Sequence, residues 1–178
     1  MCGLAGVIWK RRVRRDEAAA TMNCFEPRLV HRGPDERGVH IGDDFAVVHR
    51  RLSIIDIGSG QQPMLSEDGR VGIAYNGEVY NHVALRHELE AAGHTFNTHC
   101  DTEVVLRLFI EQGASAFDRL DGMFAIFIWD LRGPEPQYYL ARDHLGTKPL
   151  YLYEDEVRIA FSSELRPLLA LPDADLSL

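Results

Sequence analysis

Cysteine is scarce in this sequence, with only Cys2, Cys24 and Cys100 among 178 residues. An odd, sparse count without a Cys-x-x-Cys pair argues against a disulfide framework and favours a reducing compartment. The sequence therefore predicts a cytoplasmic protein. No pair of histidines has the spacing of a zinc site either, so we expect no metal site in this chain.

Long hydrophobic runs and excess positive charge are also missing. The apolar stretch Gly3–Trp9 is too short for a membrane span or for the core of a signal peptide. The formal net charge of −8 disfavours binding to nucleic acid or to an anionic membrane. We therefore expect neither as a partner and interpret the basic stretch KRRVRR, residues 10–15, as a solvated turn. The alternative is a binding segment for nucleic acid or for a nuclear import receptor.

What is present is an ordinary globular composition, with 46% hydrophobic and 26% charged residues in a length that suits one domain over 1–178. Eight short runs rich in Val, Ile, Tyr and Phe predict strands, and three helices are expected over 16–25, 81–92 and 101–112. Because helices do not alternate with the strands, the pattern favours an α+β fold with mostly antiparallel sheets. Residues from about 170 onwards are typical of a linker or tail.

Cys2 directly follows Met1, and this position suggests a chemistry. If Met1 is removed, the Cys2 thiol and a free α-amine belong to one residue. The amine, with an ordinary pKa of about 7.7–8.0, can accept the thiol proton near neutral pH. N-terminal nucleophiles carry their own base in this way. The alternative is that Cys2 is only a small buried residue opening a strand.

The segment YNGEVYN, residues 75–81, follows a predicted strand. Asn76-Gly77 is a common hairpin turn. Alternatively, the Asn76 side-chain amide and the Gly77 N–H both donate to a developing oxyanion, where each donor can be worth about 3–4 kcal/mol.

Two kinds of charged residue complete a candidate pocket. In RRLSIID, residues 50–56, the arginine at the end of a predicted strand is either solvated or a clamp for a substrate carboxylate. Asp101 before a predicted helix is either an N-cap or a ligand for a substrate ammonium. Together with a thiolate and an oxyanion hole, these residues describe a site for a free amino acid that carries a side-chain carbonyl.

Eight motifs in order carry a family resemblance: MCGLAG, HRGPDE, RLSIID, QPM, YNGEVYN, DTE, LDGMFAIFIWD and ARDHLGTKPLYL. The chain closely resembles the class II glutamine amidotransferase domain of asparagine synthetases, from Cys2 to about Leu169. The resemblance implies an N-terminal-nucleophile hydrolase fold, a four-layer αββα sandwich of two mostly antiparallel sheets.

The resemblance also implies roles for individual residues. Cys2 would attack the side-chain amide of L-glutamine, and Asn76 and Gly77 would form the oxyanion hole. Arg51 would bind the substrate carboxylate and Asp101 its amine. The remaining pocket residues would be Leu52, Ser53, Ile54, Ile55 and Glu78.

Three other features have less specific interpretations. HRGPDE contains a His and an Asp, but an N-terminal amine makes a histidine base unnecessary, so we interpret it as a structured loop near the site. ARDHLGTKPLYL is interpreted as a packing and turn element. Cys24 is expected to lie in a helix and to belong to the protein core. Cys100, which has no α-amine beside it, is not counted as a nucleophile.

The sequence contains no Ser-Gly-Gly-x-Asp-Ser loop of an ATP-using synthetase domain and no Gly-x-x-x-x-Gly-Lys motif. We therefore expect no cofactor in this domain, with ATP and Mg²⁺ confined to a synthetase domain or partner subunit that accepts the ammonia. A homodimer is a further candidate assembly. The alternative function is a silent glutamine-binding or partner-binding module, which retention of Met1 would produce.

Overall fold

A computed structural model describes residues 1–52 and 60–174 of the chain. The strands are β1 Gly3–Trp9, β2 Glu36–Ile41, β3 Phe45–Arg51, β4 Met64–Leu65, β5 Val71–Val79, β6 Gly122–Asp130, β7 Gln137–Arg142, β8 Tyr151–Glu154 and β9 Arg158–Ser162. The helices are α1 Arg15–Phe25, α2 His82–Ala91, α3 Asp101–Gln112 and α4 Leu165–Leu168, with short 3-10 helices at Glu26–Arg28 and Gly113–Arg119. Among the described residues, every helix is too short or too polar to span a bilayer.

The first of two compact units combines Met1–Leu52 with the end of the chain from Pro149. Its five-stranded sheet has the order β2-β3-β1-β9-β8, and every neighbouring pair is antiparallel. β1 lies at the centre, so a strand from the start of the chain has neighbours on both sides. Helix α1 contributes Ala18, Met22 and Phe25 to the buried cluster on this sheet.

The second unit spans Ser53–Lys148 and contains a four-stranded antiparallel sheet of order β4-β5-β6-β7. One face of β5 packs against α2 and α3 in a cluster that includes Ile73, Tyr75, Leu85 and Phe109. Both units therefore combine antiparallel sheets with helices, which confirms the α+β prediction.

The predicted helices are confirmed to within a residue or two, with one difference in capping. Helices α2 and α3 end before Gly93 and Gly113, whose φ angles of 96° and 62° favour glycine. Asn81 occupies the N-cap position of α2, but its side chain makes no capping bond. It instead donates to the Arg119 carbonyl at 2.9 Å and accepts from the Asp121 N–H at 3.1 Å.

The ARDHLGTKPLYL segment forms a turn organised by the buried Asp143, as expected for a packing and turn element. One carboxylate oxygen accepts from the Thr147 N–H at 2.8 Å, and the other from the N–H groups of Phe124 and Lys148 at 3.1 and 3.0 Å. Burial alone would raise the pKa of Asp143, but these hydrogen bonds outweigh it and lower the pKa to about 2. The turn is thus held by a carboxylate that is ionised at neutral pH.

The basic stretch KRRVRR lies between β1 and α1, largely exposed, as predicted. Lys10 donates to Glu154 at 2.9 Å and Arg11 to Glu17 at 2.6 Å. The arginines are therefore solvated and partly paired with neighbouring acidic residues.

Candidate active site

Cys2 directly precedes β1 in the first unit. Its backbone carbonyl accepts a hydrogen bond from Nε of Arg32 at 2.9 Å. Its Sγ lies 3.9 Å from the carbonyl oxygen of Leu52, just beyond the end of β3. The candidate nucleophile is thus partly buried, beside one of the predicted pocket residues.

The HRGPDE loop is structured, as predicted. Arg50 donates to the carbonyls of Gly33 and Pro34 at 2.9 and 3.1 Å. A Cβ at Gly33 would lie 2.2 Å from the backbone of Arg50, so only glycine fits there. His31 pairs with Glu164, with Nε2 2.8 Å from Oε1, and this contact gives no support to a catalytic His-Asp pair.

Arg51 is the last residue of β3 and is buried, so its interpretation as a solvated arginine is wrong. Its Nη1 donates to both carboxylate oxygens of Glu36 at 3.1 Å, across the β2–β3 pairing. The fixed guanidinium carries a buried positive charge beside Leu52.

Asn76 and Gly77 lie inside β5, opposite Ala125 and Phe124 of β6, so the hairpin-turn interpretation is wrong. A Cβ at Gly77 would lie 2.2 Å from the Met123 carbonyl oxygen. The glycine is therefore required by the close approach of two strands.

The direction of the Gly77 N–H follows from its partner in the ladder. Phe124 donates its N–H to Asp143 Oδ2 at 3.1 Å, and its carbonyl accepts from the Asp143 N–H at 2.9 Å. The backbone N–H and C=O of Phe124 therefore both form their hydrogen bonds on the side of β6 that faces β7. In an antiparallel ladder, the facing residue Gly77 then forms a non-hydrogen-bonded pair, and its N–H points away from β6.

Side chains satisfy the N–H groups on either side of Gly77 along this edge of β5. Gln62 Oε1 accepts from the Tyr75 N–H at 2.6 Å, and Asp101 Oδ2 accepts from the Val79 N–H at 3.0 Å. For the Gly77 N–H between them, the described part of the chain supplies no acceptor. An open backbone donor is thus held between two occupied ones.

Asn76 supplies a second open donor. Tyr75 packs on the helix side of β5, and because strand side chains alternate, Asn76 points from the opposite face. The residue is only 1% exposed, yet Nδ2 has no hydrogen-bond partner among residues 1–52 and 60–174. An unsatisfied buried donor costs roughly 1–3 kcal/mol, so this amide is more consistent with ligand binding than with a structural role.

Asp101 is the first residue of α3, and the N-cap position belongs to Cys100, so the interpretation of Asp101 as an N-cap is wrong. Its Oδ2 accepts from the Tyr75 hydroxyl at 2.7 Å as well as from Val79. Within the described residues, Oδ1 has no partner. One oxygen therefore fixes the helix start to β5 while the other stays open.

The other two cysteines belong to helix α1 and to the N-cap position of α3. Burial raises the pKa of Cys100, although a 2.9 Å contact with Thr98 opposes the effect. This supports excluding Cys100 as a nucleophile. Cys24 lies in α1 as predicted, but the expectation that it belongs to the core is wrong, because it is half-buried and its Sγ donates to the Ala170 carbonyl at 3.1 Å.

The structure describes the predicted site residues in two groups. Cys2, Arg51 and Leu52 belong to the first unit, and Asn76, Gly77, the exposed Glu78 and Asp101 belong to the second. Ser53, Ile54 and Ile55 lie outside the described residues.

Sequence reasoning missed Arg32, Glu36 and Gln62. Arg32 lies within HRGPDE, between His31 and Asp35, and no local pattern indicates that its side chain contacts the Cys2 carbonyl. Glu36 is the last residue of the same motif. Its pairing with Arg51 depends on the register between β2 and β3, which the sequence does not indicate. Gln62 satisfies a strand N–H from an irregular segment, and no periodic pattern indicates such a contact.

The family profile described as "Glutamine amidotransferase domain" matches residues 1–178. The chain belongs to this family.

Curated relatives of this amidotransferase domain are much longer proteins. It is 38% identical over 173 residues to asparagine synthetase [glutamine-hydrolyzing] 2 of Bacillus subtilis, covering 97% of the chain and 23% of that protein. It is 37% identical over 172 residues to asparagine synthetase B [glutamine-hydrolyzing] of Escherichia coli, covering 95% and 30%. The chain thus spans less than a third of either relative.

Among solved structures, the domain is similar to the glutamine phosphoribosylpyrophosphate amidotransferase of B. subtilis complexed with ADP and GMP. The TM-score is 0.74 at 20% identity, over 96% of this chain and 43% of that one. This likeness confirms the N-terminal-nucleophile hydrolase fold that the resemblance implied.

Proposed function

We propose that this amidotransferase domain hydrolyses L-glutamine to L-glutamate and ammonia, with Cys2 as nucleophile after removal of Met1. The observation that carries the proposal is the pair of open donors on β5, the buried Asn76 Nδ2 and the Gly77 N–H. Two such donors suit an oxyanion formed from a side-chain carbonyl.

The reaction proceeds in two balanced halves. The α-amine of Cys2 accepts the thiol proton, and the thiolate attacks the amide carbon of glutamine. The carbon–nitrogen bond breaks as the ammonium of Cys2 returns its proton to the leaving nitrogen, giving ammonia and a glutamyl thioester. Water, deprotonated by the same amine, then attacks the thioester, and the returned proton restores the thiol as glutamate leaves.

Recognition of the amino-acid end of glutamine rests on opposite charges. Arg51 binds the α-carboxylate, since its buried guanidinium is already oriented by Glu36. Asp101 binds the α-ammonium through Oδ1, the oxygen not used by Tyr75 and Val79. The remaining pocket residues in this proposal are Leu52, Ser53, Ile54, Ile55 and Glu78.

The ammonia acceptor is a synthetase domain or a separate synthetase subunit. Support comes from the names of the relatives, which are glutamine-hydrolysing asparagine synthetases more than three times as long as the matched region. In this proposal ATP and Mg²⁺ act only in that acceptor.

The test is glutamine hydrolysis without ATP, after mass measurement has verified that Met1 is absent. Cys2→Ala should abolish turnover, and Cys2→Ser should reduce it severely. The matched control is Cys24→Ala, which removes the thiol in helix α1. This variant should keep activity near that of the parent. Full activity in Cys2→Ala would overturn the mechanism. Glutamine binding without turnover, with Cys2 verified as the first residue, would favour the silent module.

A further inference from the structure

The backbone of Cys2 lies beyond the hydrogen-bonded ladder of its sheet. Pairing of β1 with β3 begins at Gly3, and pairing with β9 begins at Ala5. Strand pairing therefore does not determine the position of Cys2. A residue that carries both nucleophile and base needs another contact to fix its backbone.

Arg32 provides that contact. Its Nε donates to the Cys2 carbonyl at 2.9 Å, and its side chain is only 10% exposed. The neighbouring Gly3 leaves room for it, since a Cβ there would lie 3.2 Å from Arg32 Cδ. A single hydrogen bond from a long side chain positions Cys2 only if the guanidinium itself is fixed.

Glu164 fixes the guanidinium. Its Oε1 accepts from Arg32 Nη1 at 3.1 Å and lies 2.8 Å from His31 Nε2. Burial alone would raise the pKa of Glu164, but the contacts with His31 and Arg32 lower it. The carboxylate is therefore charged at neutral pH and opposes the charge of Arg32.

The position of Glu164 is itself fixed relative to β1. The preceding residue, Ser163, is fully buried, donates its N–H to the Leu4 carbonyl at 2.8 Å and accepts from the Leu4 N–H at 3.1 Å. The Glu164 N–H donates to Ser162 Oγ at 3.1 Å. Through Ser163, the backbone of Glu164 is thus held beside Leu4, two residues after Cys2.

We propose that Glu164 is a positioning residue for the nucleophile, acting through Arg32 to hold the Cys2 carbonyl. The role rests on the proposed function, because it matters only if Cys2 reacts. Holding the carbonyl restricts rotation of Cys2, so that its amine and thiol keep the geometry in which the proton is transferred. Arg51 and Asp101 bind substrate separately, so Glu164 should affect kcat rather than KM.

The experiment compares Glu164→Ala and Glu164→Gln with the parent protein. Reactive Cys2 is first titrated with a diazo-ketone analogue of glutamine, so that misfolded molecules are not counted. Loss of a charge-assisted contact predicts that kcat per titrated site falls about tenfold in Glu164→Ala, with KM changed less than about twofold. Glu164→Gln keeps an acceptor oxygen and should lie between the two.

The matched control is Glu154→Ala, which removes an exposed glutamate of the same unit that contacts Lys10 and not Arg32. Its kcat per site should equal that of the parent. A kcat per site within about twofold of the parent in both Glu164 variants would overturn the proposal. A raised KM with unchanged kcat would also overturn it, since Glu164 would then act on binding.

A second measurement separates this proposal from the proposed function. Iodoacetamide alkylation of Cys2 is followed by peptide mass, with Cys24 as internal reference. If the parent hydrolyses no glutamine, the proposed function fails, and this measurement decides the role of Glu164. If the rate of Cys2 alkylation in Glu164→Ala differs from that of the parent by about fivefold or more, while the Cys24 rate is unchanged, the role of Glu164 is supported. Equal Cys2 rates in parent and variant overturn it.

Discussion

At the scale of single residues, Asn76 combines deep burial with an unsatisfied donor, an arrangement that folding alone disfavours. The sequence predicted this residue and Gly77 because Asn-Gly follows an apolar run. It did not predict that Gln62 and Asp101 cover the neighbouring N–H groups. Those contacts depend on three-dimensional proximity between distant segments, which leaves no periodic pattern.

Replacing Asn76 should separate activity from stability. We expect Asn76→Ala to lower kcat for glutamine by roughly 10²–10³ with little change in KM, because one oxyanion donor is lost. The free energy of unfolding should change by less than about 1 kcal/mol, since an unsatisfied buried donor disappears together with its packing. Steady-state kinetics and urea unfolding test both parts.

The control for this prediction is Asn23→Ala on the exposed side of α1, which should leave kcat unchanged. If Asn76→Ala retains the parent kcat, Asn76 does not stabilise the oxyanion. If it lowers stability by several kcal/mol instead, the amide has a structural partner.

At the scale of elements, eight strands and three helices follow from apolar patterns, whereas β4 and α4 do not. These two span only two and four residues, too short for any periodicity to be recognised. The apolar pattern predicts a strand that ends at Tyr75, whereas β5 continues to Val79 because its pairing with β6 extends as far as Gly122. Tertiary pairing thus overrides the turn tendency of Asn-Gly.

The turn after β7 should depend on the ionised Asp143. Asp143→Asn places an amide group against backbone donors, so we expect it to lower the free energy of unfolding at neutral pH by about 1–3 kcal/mol. The folded-state pKa of about 2 lies below the ordinary 3.8, so the carboxylate stabilises the fold above 3.8. That contribution is lost as pH falls through 3.8 towards 2.

Urea unfolding of both proteins across this pH range is the measurement. The difference between them should shrink on acidification, and the exposed Asp118→Asn serves as control with no such trend. A difference between Asp143→Asn and the parent that stays constant from neutral pH to 2 would contradict the assignment.

At the scale of the whole molecule, the sequence predicted the α+β class but not the composition of the units. The first unit consists of Met1–Leu52 and the residues from Pro149 onwards. The pairing of β1 with β9 connects these two segments. Local patterns predict β1 and β9 individually, but they do not indicate that these two distant strands become neighbours. The one-domain organisation over 1–178 stays a prediction.

A short uncleavable extension before Cys2 should abolish turnover while the protein still folds. A peptide-bonded nitrogen has no basic lone pair, so the thiol loses its base. We expect the parent, with Met1 removed, to hydrolyse glutamine and react stoichiometrically with the diazo-ketone analogue. The extended protein should do neither, although circular dichroism should match. Equal activity in both would show that the α-amine is not the base.

The central position of β1 also affects when its two neighbouring strands can pair with it during synthesis. Leu4 and its partner Ser163 are 159 residues apart in the sequence. At a synthesis rate of about 5–20 residues per second, β9 is therefore made roughly 8–30 seconds after β1. Throughout that interval the start of the chain is open to processing enzymes. Glu164 emerges directly after Ser163, so its contact with Arg32, which orders Cys2 in our proposal, forms only after every strand of this sheet has been synthesised. In our proposal, Cys2 therefore becomes reactive only after β9, the final strand of this sheet in chain order, has paired with β1.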